Sequence, residues 1–441
     1  MKKERNMWRL RWLVVGLAVL GWLGAAQAGT KLDKKFGVKG VATTSFGDFS
    51  GATALARQSD GKLVVVGYTA TNGMSGYDYD FALARYNPDG SLDTTFDGDG
   101  KVTTDFGTNA DIANAVAIQP SDGKIVVAGF SNLQMAVARY DTNGALDPDF
   151  GTGGKQTVLI NSNCKALAVA IQPNDEKIVL AGNAFTGSGN NFALARLGTD
   201  GEPDDTFGTD GVVSVHFTAL PVEFGNALAL QGNGKIVVAG QAYSNLDGTL
   251  NDFLVARYSD TGTPDSGFGT GGATPVDFNL DEEAANAVVI QRDDKIVVGG
   301  FTFQNNGYDL ALARLDTAGD LDSTFGSGGK ATLDLSAGGG DHVYTMLIQP
   351  GTSLATDKIV VAGDASLAAG YAFALARFSI DGVLDRKFGK KGVVITPFGA
   401  DFTGHVEGLL RQPDGMLVAA GTRSVGYSSS TAFAVTRYKT K

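Results

Sequence analysis

The sequence contains few side chains that could do acid–base or metal chemistry. Its three histidines, His216, His342 and His405, stand far apart and lack metal-ligand spacing such as HExxH. No serine lies in GxSxG, and no phosphate-binding GxxxxGK[ST] loop is present. His342 directly follows Asp341, so these two residues are the candidates for a general base. The sequence therefore favours a non-enzymatic protein and leaves enzyme activity open.

Four acidic residues occupy one equivalent position, eight residues before a recurring glutamine: Asp111, Glu223, Glu283 and Asp341. If the strand that begins there lines a central channel, these carboxylates surround its mouth, where they could hold a divalent cation or attract a cationic ligand. A solvated acidic rim is the simpler interpretation.

Turns rich in Asp, Asn and Gly, such as residues 87–93, resemble calcium loops. Their counterparts at residues 198–201 and 259–262 supply too few oxygen ligands, and Asx turns explain all of them. No cofactor is predicted, and calcium is the open alternative.

Several loops of variable length are rich in Tyr, Asn, Gly and Ser, a composition found in adaptable recognition surfaces and also in ordinary loops. Their tyrosines are the candidate ligand-binding residues: Tyr77, Tyr79, Tyr243, Tyr308, Tyr371 and Tyr427. We expect a protein or a glycan as the ligand.

The strongest signal in the chain is a repeat of about 60 residues, marked by an arginine in an apolar-Ala-Arg-aromatic motif or a close variant of it. The seven arginines are Arg85, Arg139, Arg196, Arg257, Arg314, Arg377 and Arg437. An aspartate follows each of the first six by eight residues, at Asp93, Asp147, Asp204, Asp265, Asp322 and Asp385, and a phenylalanine follows each aspartate by three. Because every copy has them, these residues are interpreted as structural ion pairs and core rings.

Each copy is predicted to form four short strands. In the second copy, the strands are expected at residues 113–119, 124–129, 135–140 and 155–160, with Gly-, Asp- and Asn-rich turns between the paired strands. Four strands make one blade, so the fold class is all-β, a seven-bladed β-propeller. An open solenoid would need polar capping repeats, and the sequence shows none.

The two ends of the chain carry complementary parts of one repeat. Residues 41–46 are predicted to be the outermost strand of the last blade, whose other strands come from residues 405–438. Asp33 would then pair with Arg437 and close the ring.

Residues 1–28 are predicted to be a cleaved signal peptide, because basic residues precede an 11-residue apolar run and the pattern Ala26-Gln27-Ala28. An uncleaved anchor is the alternative, although the apolar run is short for a membrane span. Residues 29–441 would form one exported propeller without a membrane span, located in the periplasm, at the cell surface or outside the cell. The leader has five basic residues and one acidic residue, so the formal charge of −11 becomes −15 for residues 29–441, which argues against nucleic acid as a partner. A single cysteine, Cys164, excludes an intramolecular disulfide.

The segment ALARYNPDGSLDTTFDGDGKVTTDFG, followed by ANAVAIQPSDGKIVVAG, resembles the delta-60 repeat of bacterial exported proteins. The resemblance covers almost all of residues 31–441 and implies a β-propeller outside the cytoplasm, with no assigned chemistry. Pro203 and Pro264 replace the usual Leu before Asp in two copies. The sequence therefore predicts a binding or scaffold propeller with its ligand on the variable loops. A hydrolase or lyase, with acidic residues and a metal at the channel mouth, is the alternative, and the oligomeric state is not predicted.

Overall fold

The computed structural model describes residues 32–440, with gaps at 48, 74–75, 108–109, 244–250, 280–281, 305–306, 337–338, 369, 400–401 and 426–429. This part of the chain contains 28 strands and one short 3-10 turn, Leu354–Thr356. The leader predicted at residues 1–28 lies outside the described residues. None of the helical structure within them is long and apolar enough to cross a membrane.

The strands form a seven-bladed β-propeller with four antiparallel strands in each blade. One parallel bridge, between Asn190 and Val222, connects the sheets of blades 3 and 4. From the innermost strand outward, blade 1 is β2 (Phe49–Arg57), β3 (Leu63–Gly73), β4 (Gly76–Tyr86) and β5 (Lys101–Thr104); blade 2 is β6 (Asp111–Ile118), β7 (Ile125–Ser131), β8 (Gln134–Tyr140) and β9 (Lys155–Val158); blade 3 is β10 (Asn163–Ile171), β11 (Ile178–Phe185), β12 (Asn190–Leu197) and β13 (Val212–Val215); blade 4 is β14 (Val222–Leu230), β15 (Ile236–Tyr243), β16 (Asn251–Tyr258) and β17 (Ala273–Val276); blade 5 is β18 (Glu283–Ile290), β19 (Ile296–Gln304), β20 (Gly307–Leu315) and β21 (Lys330–Leu333); blade 6 is β22 (Asp341–Gln349), β23 (Lys358–Leu367), β24 (Gly370–Ser379) and β25 (Val393–Thr396); blade 7 is β26 (Phe402–Arg411), β27 (Leu417–Val425), β28 (Thr431–Tyr438) and β1 (Val41–Thr44).

The strands of blade 2 lie within about two residues of the positions that their sequence predicts, with β6 beginning at Asp111 rather than residue 113. Val and Ile fill β7, where nearly every side chain is buried, because the two middle strands of a blade are covered on both faces by neighbouring blades. The core is accordingly divided into seven clusters, each shared by two adjacent blades. One of them places Phe150 among side chains of blades 2 and 3.

Every innermost strand contains a β-bulge at the same place in the repeat, for example between Val343 and Thr345 in β22. The bulge presses the inner strand against a glycine of the second strand. A Cβ atom at Gly363 would collide with the carbonyl oxygen of His342, so only glycine fits there. The bulge and its glycine set the position of the residues just above them, which form the site described below.

The N-terminal strand β1 completes blade 7, which confirms the predicted closure of the fold. β1 pairs with β28 in antiparallel register, with Val41 opposite Thr436 and Thr44 opposite Phe433. The Tyr86 hydroxyl of blade 1 is 2.7 Å from Thr44 Oγ1, so the added strand is also held by the next blade.

An arginine, an aspartate and a phenylalanine bind each blade to the next, and we call these seven sets the arginine rim. In blade 2, Arg139 Nε donates to Asp147 at 2.6 Å, and the guanidinium lies 4.6 Å from the centre of the Phe150 ring. A second nitrogen of Arg139 donates to the Thr199 carbonyl of blade 3. At the closure, Arg437 donates to Asp33 at 2.6 and 2.9 Å and to the Pro88 carbonyl of blade 1 at 2.5 Å.

The other members of the arginine rim have the same arrangement. Each pairs an arginine with the aspartate of its own copy and stacks it on the phenylalanine of that copy, with 4.5–5.0 Å between the guanidinium carbon and the ring centre: Arg85–Asp93–Phe96, Arg196–Asp204–Phe207, Arg257–Asp265–Phe268, Arg314–Asp322–Phe325 and Arg377–Asp385–Phe388.

Candidate functional site

The blades have two different ends. The arginine rim lies at one end, together with the turns between the first and second strands and the connections between the third and fourth strands. The loops between the second and third strands and the connections between blades lie at the other end, which we call the upper face. The innermost strand of each blade lines the central axis and begins at the upper face. Its first residues therefore lie close to the axis at that face.

Two histidines converge on one buried carboxylate at the upper face of blades 6 and 7. His342 Nδ1 is 3.0 Å from Asp364 Oδ1, and His405 Nδ1 is 2.5 Å from Asp364 Oδ2. The Asp364 side chain is 1 % exposed, whereas the His342 side chain is 16 % and the His405 side chain 39 % exposed. Asp364 therefore orients both rings while His405 presents an imidazole edge to solvent. We call His342, Asp364, His405 and Glu407 the histidine cluster.

The electrostatics of the histidine cluster separate its two carboxyl groups. Burial alone would raise the pKa of Asp364, but the hydrogen bonds from His342 and His405 outweigh it and lower that pKa. Burial, and then the negative charge of Asp364, raise the pKa of Glu407 to about 8. The cluster thus combines an ionised carboxylate with a carboxyl group that holds its proton near neutral pH.

Aromatic rings surround the histidine cluster. Tyr308 lies 5.0 Å from the His342 ring and donates its hydroxyl hydrogen to Glu282 at 2.5 Å. Tyr371 lies 4.9 Å from the His405 ring, and Phe301 lies 5.0 Å from His342. Such a mixture of ring faces with oriented donors and acceptors is typical of sites for small polar ligands.

The residues of the histidine cluster replace the ordinary residues of the repeat at fixed positions. His342 and His405 are equivalent to each other, since each lies across from the residue after the glycine of the second strand. At the position of Asp364 the other blades have Tyr68, Phe130, Asn183, Gln241, Phe301 and Thr422.

Sequence reasoning missed Asp364 and Glu407. The sequence nevertheless marks both positions. Asp364 is an acid directly after the Ala-Gly pair of a second strand, and Glu407 is an acid at the bulge of an inner strand, and each occurs in a single copy.

The predicted pairing of His342 with Asp341 is wrong. Neighbouring residues of a strand point to opposite faces, so Asp341 points away from His342 and Asp364 becomes the acidic partner. The combination of Asp364 with the exposed imidazole of His405 is an arrangement that can transfer a proton.

Of the predicted tyrosines, Tyr308 and Tyr371 lie at the histidine cluster. Tyr79 packs 5.7 Å from Tyr68 within blade 1, and Tyr243 stacks 5.7 Å from Phe224 within blade 4. Tyr77 is paired with Asn72 through the backbone, but its side chain lies outside the described residues, as does all of Tyr427.

The four recurrent acids are not a solvated rim around the channel mouth. Asp111, Glu223, Glu283 and Asp341 are at most 1 % exposed. Each accepts hydrogen bonds from backbone N–H groups of the connection that precedes its strand, as Glu223 does from Phe217 and Thr218 at 2.7–3.1 Å. The sequence missed this role because carboxylates in a polar connection suggest solvent exposure, whereas the folded loop encloses them.

Comparison with known families identifies the repeat. The model of a domain of unknown function, DUF5122, described as a β-propeller, matches seven segments, at residues 58–96, 121–150, 174–207, 231–268, 291–325, 354–388 and 412–440. The chain belongs to this family. Each match lies within one repeat of the DUF5122 chain. The first six contain a complete Arg–Asp–Phe set and the seventh contains Arg437, so the family model describes the propeller skeleton. A search of the curated proteins finds no match.

The solved structures that are similar to this DUF5122 propeller have low sequence identity to it. The polysaccharide lyase Uly1 is 11 % identical, with a TM-score of 0.50, and the match covers 91 % of this chain and 93 % of the lyase. Plexin A from Drosophila, in complex with Semaphorin 1b, is 11 % identical with a TM-score of 0.48, covering 92 % of this chain and 88 % of the other. A protein of unknown function from Dyadobacter fermentans is 11 % identical with a TM-score of 0.44, covering 91 % and 98 %.

Proposed function

We propose that this propeller is an exported, non-enzymatic binding module that takes up a glycan at the histidine cluster. The observation that carries the proposal is the convergence of His342 and His405 on the buried carboxylate of Asp364 at the face with variable loops. Export rests on the leader pattern of residues 1–28.

The surroundings of the cluster favour a hydroxyl-rich ligand over a charged or purely apolar one. Imidazole and carboxyl groups supply both donors and acceptors for sugar hydroxyls, and the rings of Tyr308 and Tyr371 supply apolar faces. The charge of −15 on residues 29–441 disfavours polyanions. A neutral glycan is therefore the ligand that this chemistry fits best.

Glycan binding can be tested by isothermal titration of purified residues 29–441 with a panel of neutral oligosaccharides. We expect His405→Ala to weaken binding at least about tenfold, because it removes an exposed ring and a hydrogen-bonding edge. His216→Ala is the matched control, since the His216 side chain is 38 % exposed and contacts Glu223 in another blade. The proposal fails if no oligosaccharide binds or if both variants weaken binding equally.

A second function, cleavage of the bound glycan, is favoured by one feature. Asp364 contacts Nδ1 of His405, which leaves Nε2 as the position where the ring can accept a proton. If the protein is a hydrolase or a lyase, His405 is therefore its candidate catalytic residue, in place of the acids of the inter-blade connections. Incubation of a bound oligosaccharide with the protein should release new reducing ends if this alternative holds, and His405→Ala should abolish their release.

A further inference from the structure

Three of the seven junctions between blades contain three carboxylates each. We call these groups the acidic triads: Asp80, Asp105 and Asp111; Asp252, Asp277 and Glu283; and Asp309, Asp334 and Asp341. In each triad one oxygen per residue lies within 4.8 Å of the others. The first acid lies in the third strand of a blade, the second follows the outermost strand of that blade, and the third begins the inner strand of the next blade.

The three positions of a triad change together around the ring. The junction between blades 2 and 3 has Gln134, Leu159 and Cys164 in their place, and that between blades 6 and 7 has Ala372, Pro397 and Gly404. The junction between blades 7 and 1 has Ala432, Ser45 and Ser50. A junction thus has all three acids or none, except the one between blades 3 and 4.

That exceptional junction shows what a single acid does. Glu223 anchors the connection before β14 through backbone N–H groups, and its neighbours at the other two positions are Asn191 and His216. One buried carboxylate is therefore enough to anchor a connection. The second acid of each triad accepts a hydrogen bond from the backbone N–H group two residues further along its connection, but the junction between blades 3 and 4 shows that a connection can be anchored without the two further acids.

A buried hydroxyl group lies beside two of the triads. Thr302 is directly opposite Glu283 in one strand pairing and directly opposite Asp309 in the next, so its side chain points to the same face of blade 5 as both carboxylates. Its Oγ1 atom has no hydrogen-bond partner, and the residue is 0 % exposed. A buried, unpartnered hydroxyl is costly, so an added partner at this position would be favourable.

The carboxylates of a triad repel one another, because one oxygen of each residue lies within 4.8 Å of the others. A cation between the oxygens would relieve this repulsion.

We infer that the acidic triads bind divalent cations, one at each of the three junctions, with Ca²⁺ as the fitting ion. Ca²⁺–oxygen distances are about 2.3–2.6 Å, so oxygens as far apart as about 5 Å can share one ion. All the side-chain donors are hard oxygens, with neither sulfur nor imidazole among them, a set that selects against zinc and copper. Carbonyl groups and water would complete the shell. The Thr302 hydroxyl is the added ligand or outer-shell donor at blade 5.

The inference is tested by counting Ca²⁺ on chelator-treated protein with isothermal titration and native mass spectrometry. We expect three ions per chain, with dissociation constants on the order of 10⁻⁴–10⁻³ M, as in extracellular modules. Asp105→Asn, Asp277→Asn and Asp334→Asn change the exposed member of each triad and keep the buried anchor, so each should lose one ion, and the triple variant should lose all three.

Asp205→Asn, an exposed acid outside the triads, is the matched control and should keep three ions. Circular dichroism verifies that the variants remain folded. The inference is overturned if wild-type protein binds no Ca²⁺ at 10 mM, roughly ten times the weakest expected dissociation constant, or if the triple variant binds as many ions as wild type. Neither outcome depends on glycan binding, because these three aspartates lie outside the histidine cluster.

Discussion

The two ends of the blades differ in how far their residues repeat from copy to copy. At the arginine rim, all seven copies keep the same arginine, aspartate and phenylalanine, and each arginine reaches a carbonyl of the next blade. At the upper face, the histidine cluster occurs once and the acidic triads occur at three junctions.

The difference has a physical basis. A ring is only as strong as its weakest junction, so every copy needs the ties of the arginine rim. A ligand site needs to be built once, and a metal site only where an ion is required. Repeated residues therefore indicate the skeleton, and residues that break the repeat indicate function.

The largest expected effect tests the arginine rim at the closure. Asp33→Ala removes the partner of Arg437 and leaves a nearly buried guanidinium unpaired, so we expect the free energy of unfolding to fall by roughly 3–5 kcal/mol. Asp147→Ala, within the continuous part of the chain, is the control and should lower the melting temperature by a similar amount. An unchanged melting temperature for Asp33→Ala alone would contradict closure through this pair.

A smaller effect, opposite in sign, is expected at the histidine cluster. The pKa of Glu407 is raised from 4.5 to about 8, so the folded protein keeps a proton that the unfolded chain releases. The contribution of this group to stability therefore declines as pH rises from about 4.5 to about 8 and is constant above that range. Glu407→Gln should remove the decline and melt at least about 2 °C above wild type at pH 8.5.

At pH 4 the Glu407→Gln variant and wild type should melt close together. Glu202→Gln, in an exposed turn, is the control and should show no pH-dependent difference. If Glu407→Gln melts below wild type at pH 8.5, the Glu407 carboxyl group stabilises the fold. That result would contradict the contrast between an arginine rim that stabilises the protein and a histidine cluster that destabilises it at high pH.

The smallest effect concerns the bulge of the inner strands, where skeleton and site meet. Asn114, Asn226 and Asn286 donate from this position to a carbonyl of the next blade at 2.8–3.0 Å, and Thr53 does the same. Blades 6 and 7 have Tyr344 and Glu407 there instead. Asn114→Ala should cost about 1 kcal/mol in chemical denaturation and leave glycan affinity unchanged.

The matched variant at the same position is Tyr344→Phe, which removes one hydroxyl next to the histidine cluster. It should change glycan affinity more than stability. Equal effects of both variants on affinity would remove the distinction between the two kinds of blade.

The local sequence was sufficient for the blade and the ring. Alternating Val and Ile, turns of Asp, Asn and Gly, and a repeat of constant internal spacing predict four strands per copy and their order, because hydrophobic period and turn chemistry are local properties. The complementary half-repeats at residues 32–46 and 405–438 also predict the closure, since each alone would leave an unpaired edge.

The sites could not be read from the sequence in the same way, because they join residues from different blades. Asp341 is the chain neighbour of His342, yet the alternation of a strand turns it toward a triad and brings Asp364 to the histidine. His405 reaches the same carboxylate from 41 positions further along the chain. Burial likewise converts acids of polar connections into enclosed anchors, because the connection folds over them and satisfies their oxygens with its own backbone.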